Sequence, residues 1–171
     1  MIVSYNWLKE LVKLNVPAEK LAEEMSLYSV EVESFSKLIK ATNLVVGYVK
    51  EKAKHENSDH LNVCQVNFGD YDLQIVCGAP NVRKGLKVIV AQVGAELPGD
   101  ITIRKGNIRG QESNEMMCSL LELGIESKFL SEADKTGIHE LPADAPVGED
   151  PIKFMGLDDE VADFELTANR G

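Results

Sequence analysis

No apolar run in this 171-residue chain approaches the ~20 residues that a membrane-spanning helix needs. No basic-then-apolar leader opens it either, because Met1-Ile-Val-Ser-Tyr is followed at once by Asn6, Lys9 and Glu10. Cysteine is scarce: Cys64, Cys77 and Cys118 lie far apart with no CxxC pair, which excludes a disulfide scaffold and reads as a reduced, cytosolic protein. There is no GxxxxGK[ST], no GxGxxG after a strand and no GxSxG, so the usual nucleotide cradles and the hydrolase elbow are missing. Positive charge is short as well, with 18 Lys and Arg against 28 Asp and Glu and a net charge of −10. An acidic chain repels phosphates, so a nucleic-acid partner requires a local basic surface.

What is present describes an ordinary folded protein. Hydrophobic residues are 44% and charged residues 27%, which excludes a mainly disordered chain, and the length suits one large domain or two small ones. Ser4 is placed to cap a first helix whose Trp7, Leu8, Leu11, Val12 and Leu14 share one stripe, so Trp7 is expected in the core. Pro17 opens a second helix with Leu21, Ala22 and Met25 on one face, and Ser29-Val-Glu-Val-Glu-Ser alternates as a half-buried strand. Residues 1–39 are too few to hold a core alone and must pack on something else.

From about residue 40, short β-like runs follow one another: residues 44–49, 61–66, 73–77 and 87–91, with weaker ones at Ile101-Thr-Ile and Ile108. Turns fall at Gly69-Asp70, Pro80–Gly85 and Pro98-Gly99-Asp100. Many strands with no long helices between them imply a compact antiparallel barrel. A short helix is expected over Ser119–Leu123, ended by Gly124, and residues 141–148 form a proline-rich exit segment.

No catalytic constellation emerges. His55-Glu-Asn-Ser-Asp-His60 offers two imidazoles and two carboxylates, but a solvated connection between strands explains it better than a metal site. The cysteines sit in apolar runs and read as small buried hydrophobes. The positive charge is segregated: Lys50, Lys52, Lys54, Arg83, Lys84, Lys87, Arg104, Lys105 and Arg109 leave residues 50–109 at +2, whereas residues 113–171 are strongly acidic. Lys50, Lys52 and Lys54 alternate and are expected on one strand face, and this concentration is what a phosphate-facing patch requires.

Seven segments in order are similar to the OB-fold tRNA-binding module found free-standing and appended to aminoacyl-tRNA synthetases. They are Val46-Gly-Tyr-Val, Lys54-His-Glu-Asn-Ser-Asp-His-Leu61, Ile75-Val-Cys-Gly-Ala-Pro-Asn-Val82, Leu97-Pro-Gly99, Ile108-Arg-Gly110, Ser113-Asn-Glu-Met-Met-Cys-Ser119 and Glu122-Leu-Gly124. The flanks narrow the resemblance: Ser4-Tyr-Asn-Trp-Leu-Lys-Glu-Leu, Glu31-Val-Glu33 and Thr167-Ala-Asn-Arg-Gly171 resemble the N-terminal region of the bacterial phenylalanyl-tRNA synthetase beta-chain family. The chain departs from that family at Glu115, where glycine is common, at Ser29, also a frequent glycine, and at Ala168, in place of proline.

The resemblance implies an α+β, mainly β fold, in which a five-stranded antiparallel OB-fold barrel is inserted into a small discontinuous α/β domain. The expected division is residues 1–39, an OB-fold at 40–148, and a return segment at 149–171 that is truncated. It implies tRNA as partner, with Lys54, Arg83, Lys84, Lys105 and Arg109 on phosphates and Asn57, Ser113 and Asn114 making polar contacts to sugar or backbone. For the parent it implies a cytoplasmic phenylalanine–tRNA ligase that uses ATP and Mg2+ and pairs with an alpha subunit in an α2β2 heterotetramer. The active site lies elsewhere in the family, so this stretch is expected to be non-catalytic, with no cofactor or metal of its own. Two other readings remain open: a stand-alone tRNA-binding or chaperone protein, and an OB-fold used as a protein-docking scaffold.

Overall fold

A computed structural model describes residues 1–165. In chain order the elements begin with β1 (Ile2–Ser4), α1 (Tyr5–Leu11), α2 (Ala18–Tyr28) and β2 (Val32–Lys37). The longer strands β3 (Leu44–Lys54), β4 (Asn62–Asn67), β5 (Asp72–Cys77) and β6 (Lys87–Ala91) come next. Short strands follow: β7 (Glu96–Leu97), β8 (Ile101–Thr102), β9 (Asn107–Ile108), β10 (Gln111–Glu112) and β11 (Met116–Met117). α3 (Glu132–Thr136), β12 (Glu140–Leu141), α4 (Pro151–Phe154) and β13 (Glu160–Phe164) complete the sequence. Contacts divide the chain into two compact units, residues 1–39 with the segment from Gly156, and residues 40–155.

The larger unit is a curled antiparallel sheet in the order β11-β6-β3-β4-β5, with β12 also paired to β6. Alternation sets its faces: Cys64 and Val66 of β4 point into the core while Gln65 and Asn67 between and beside them are partly exposed. β6 is covered on both sides, with Val88, Ile89, Val90 and Ala91 all fully buried, which explains its unbroken apolar run. The sheet curls at β3. A Cβ on Gly47 would come within 2.7 Å of Val66 Cγ1, so only glycine lets the neighbouring strand approach there. A register shift between Val49 and Glu51 breaks the alternation at Lys50, so the three lysines do not follow one uninterrupted face; Lys50 pairs instead with Asp72 at 2.7 Å. Side chains close the barrel where the backbone ladder does not. Gln74 Nε2 donates to Gln111 Oε1 and the Glu112 carbonyl, and the Val76 N–H donates to Ser113 Oγ at 3.0 Å. The mainly β, five-stranded OB-like architecture is therefore present.

The exit segment stays with this unit. Lys87 Nζ donates to the carbonyls of Ala143 and Ala145, and the Gly148 N–H donates to the Val46 carbonyl at 2.8 Å. Asp150 then caps α4, burying Pro151 and Ile152, so the unit runs on to Met155 instead of ending at residue 148.

In the smaller unit, β1, β13 and β2 form an antiparallel sheet, and Asp159 accepts hydrogen bonds from Ser4 Oγ and the Asn6 N–H. Ser4 caps α1 by accepting from the Trp7 N–H, and α2 buries Ala18 and Ala22 while half-burying Leu21 and Met25. Trp7 is a correction: α1 stops at Leu11, and this two-turn helix turns Tyr5 and Leu8 inward, leaving Trp7 56% exposed. β2 likewise begins at Val32, three residues later than the alternation suggests. Residues 119–123 form a turn instead of a helix, although Ser119 and Glu122 cap each other reciprocally. Gly124, at φ +94°, ends the turn before a second one can form. The Thr167–Gly171 element lies outside the described residues.

Candidate nucleic-acid interface

Two loops meet at one end of the barrel. The first joins β3 to β4 over residues 55–61 and closes on itself through His55 N–H to the Leu61 carbonyl at 3.0 Å. The second is the β9–β10 hairpin, whose two central residues Arg109 and Gly110 have φ of +51° and +90°. Positive φ at both positions is the pattern of a two-residue type I′ turn, which matches strand twist and favours Asn or Gly. An arginine held there, in a left-handed backbone costing about 1 kcal/mol, presents its guanidinium at the hairpin tip.

His55 joins the two loops. It is only 4% exposed. Nδ1 accepts from the Asn57 N–H at 3.0 Å, which leaves the proton on Nε2 to donate to the Ile108 carbonyl at 3.0 Å. Arg109 Nη1 completes the junction by donating to the Asn57 carbonyl at 3.1 Å. Both imidazole nitrogens are thus occupied by backbone, and no group of three metal-binding side chains exists among the described residues.

The expected contact residues separate into three groups. Lys54, Asn57, Lys105 and Arg109 are exposed on these two loops and their stems, and neither Lys54 nor Lys105 has a hydrogen-bonding or ionic partner among the described residues. Arg104 and Lys52 are equally exposed. Lys84 is exposed on the separate β5–β6 connection, beside Arg83, which is held by Glu140 through two bonds of 2.8 Å. Those bonds keep the Glu140 carboxyl below its ordinary range, so Arg83 is already neutralised locally. Ser113 and Asn114 face inward to the fold. Ser113 is a correction, being 7% exposed with its hydroxyl tied to Val76 N–H, so it cannot reach a sugar. Asn114 is half-buried and braces the hairpin stem, donating to Glu112 and accepting from the Gly106 N–H.

Glu115 does not face the interface. Its negative backbone φ requires no glycine, and its side chain is 8% exposed beside Gln92, with Oε2 unpartnered among the described residues. Burial holds its carboxyl above the ordinary value of 4.5. The folded state therefore takes up a proton before the unfolded chain does, and stability rises as pH falls through that raised value. Glu115→Gln is expected to be more stable than the native protein by about 1 kcal/mol at pH 7. The gap should close as the pH of the urea titration is lowered through the glutamate range.

Beneath the two loops lies an open groove of about 420 Å³, walled by Leu61, Ile108, Met116 and Ile138 and containing Ser119 and Glu122. Sequence patterning did not single out this groove, and it raised His55 only as a candidate metal ligand or part of a solvated connection, not as the buried joint between two loops. The three cysteines are buried as expected. Burial pushes the Cys64 thiol up to about 11 and Cys118 up to about 12, so neither is a nucleophile at neutral pH.

An OB-like barrel with unpaired cations on its loop edge belongs to the oligonucleotide-binding class of β-barrels in form. The family described as "Putative tRNA binding domain" matches residues 44–150, and the chain belongs to it. Over 99% of its length the chain is 47% identical to the phenylalanine–tRNA ligase beta subunit of Geobacillus kaustophilus, and 47% identical to that of Streptococcus pneumoniae. It covers 22% and 21% of those proteins, so it spans about a fifth of the length of these curated relatives. A solved structure of a MetRS-related protein from Pyrococcus horikoshii aligns with 61% of this chain and 84% of its own, at 22% identity and a TM-score of 0.43.

Proposed function

We propose that the chain is the tRNA-binding region of a phenylalanine–tRNA ligase beta subunit, holding tRNA phosphates on the edge formed by Lys54, Arg104, Lys105 and Arg109. The observation that carries this reading is the junction of the two loops: family membership supplies the ligand class, and His55 and Arg109 hold the free cations on one braced edge. Lys84 is a further contact on the β5–β6 connection, and Asn57 a polar one. Such contacts position an RNA without reading its sequence, so binding is shape-dependent and salt-sensitive. A tRNA titration across a salt series tests this. Log affinity is expected to fall linearly with log salt, and retention independent of salt would remove the reading.

In this proposal the parent joins phenylalanine to tRNA with ATP and Mg2+, in the cytoplasm, as an α2β2 assembly with an alpha subunit. This region supplies tRNA contact and no chemistry. The purified chain is expected to show no ATP–pyrophosphate exchange, measured with phenylalanine and Mg2+ present. The scaffold reading rests on the net charge of −10 and on Glu115, but Glu115 is buried and presents no charge to RNA.

A further inference from the structure

The groove under the loops suits something other than phosphate, because the charged side chain that lines it without an ionic partner is an anion. Glu122 Oε2 accepts from the Ser119 N–H at 2.6 Å and from Ser119 Oγ at 2.9 Å, which fixes the carboxylate. Its Oε1 has no hydrogen-bond partner among the described residues. Lys135 also lines the groove but is paired with Glu132 at 2.7 Å, so it does not neutralise Glu122. The walls are apolar: Leu61, Met116 and Ile138, with Ile108 next in sequence to the exposed Arg109. A strand whose phosphates lie on the cationic edge therefore has its bases beside a slot that combines stacking surface with one fixed acceptor.

We infer that this groove seats one unpaired base of the RNA, guanine in preference, with Glu122 accepting from its N1–H and N2–H edge. Guanine offers two adjacent donors, whereas cytosine and adenine offer one amino group beside an acceptor. Uracil offers N3–H between two carbonyls, which repel a carboxylate. The inference rests on the tRNA-binding reading and adds base selectivity to it.

The test uses the 171-residue chain with hexauridylate and with hexamers carrying one central G, C or A, followed by fluorescence anisotropy at low and moderate salt. The G hexamer is expected to bind about tenfold tighter than hexauridylate, the size of one hydrogen bond to a charged group. That ratio should hold as salt lowers every affinity. In Glu122→Gln the amide oxygen remains on the Ser119 N–H and the NH2 faces the groove, so donor meets donor and the guanine preference vanishes. Ile108→Ser, at a position 40% exposed, removes a wall without touching that turn and should lower the preference while leaving the thermal midpoint unchanged. Equal, salt-sensitive binding of all four oligomers would overturn the inference and leave the tRNA reading standing. Absence of binding to the hexamers, with tRNA still bound, would overturn the inference alone, and absence of binding to tRNA as well would overturn both. Capture of an oligolysine peptide, lost in Glu122→Gln and without base preference, would assign the groove to a cationic protein segment and also overturn it.

Discussion

Replacing Arg104, Lys105 and Arg109 together by alanine is expected to weaken tRNA binding on the order of a hundredfold at 0.1 M salt. Each lost phosphate contact also removes about 0.7–0.9 from the slope of log affinity against log salt, so the line should flatten by about 2–3. The two effects are one: contacts that release counterions lose their advantage as salt approaches 1 M, and the native and variant lines converge there. The side chains are exposed and the one hydrogen bond lost is that from Arg109 to the Asn57 carbonyl, so folding stability should fall by no more than about 1 kcal/mol. Arg83 supplies the contrast. Its guanidinium is paired bidentately with Glu140, so Arg83→Ala should barely change the slope. Glu140→Gln frees that guanidinium and should steepen the slope by about 0.8 if RNA reaches the β5–β6 connection. An unchanged slope in the triple variant would place the binding surface elsewhere on the chain.

The strand core was legible in the sequence because apolar runs at residues 44–49, 61–66, 73–77 and 87–91 leave few alternatives; the last appears with the same bounds, and the others differ by at most one residue except at the far end of β3, which runs five residues further. Short pairings such as β11 and β12 were not legible, since two-residue strands are fixed by the partner β6 and carry no periodicity of their own. Trp7 misled because its stripe continues through Leu14 in the sequence, whereas the helix ends at Leu11 and turns its Tyr5–Leu8 side inward. The same limit holds at the site. Segregated charge pointed to Lys54, Lys105 and Arg109, but charge counts could not show that Arg83 and Lys87 already have partners inside the fold. Ser113 was misjudged because a hydroxyl in a polar run looks the same whether it faces solvent or closes a barrel. The Ser119–Glu122 cap is local, but that its carboxylate opens into a groove, and that His55 meets the Ile108 carbonyl, depend on segments distant in sequence.

His55→Ala tests whether the junction acts through position instead of charge. Removing the imidazole leaves the Asn57 N–H and the Ile108 carbonyl without their partner and opens a void where the side chain was 4% exposed. The expected cost is about 2 kcal/mol of stability in urea unfolding, the size of two weakened hydrogen bonds plus partial cavity formation. Its effect on tRNA should differ in kind from that of the arginine and lysine changes. No phosphate contact is removed, so the number of counterions released stays the same and the salt slope is unchanged. What is lost is the prior ordering of Lys54, Asn57 and Arg109, which binding must then supply at about 0.5–1.5 kcal/mol for each immobilised side chain. Affinity is therefore expected to fall at least tenfold at every salt concentration, giving a line parallel to that of the native protein. His55→Gln, which can keep one of the two hydrogen bonds, should lie between them. A His55→Ala line that instead converges with the native one at high salt would mean that the loop itself had left the interface. In that case the imidazole holds the cations in place and does not merely order them.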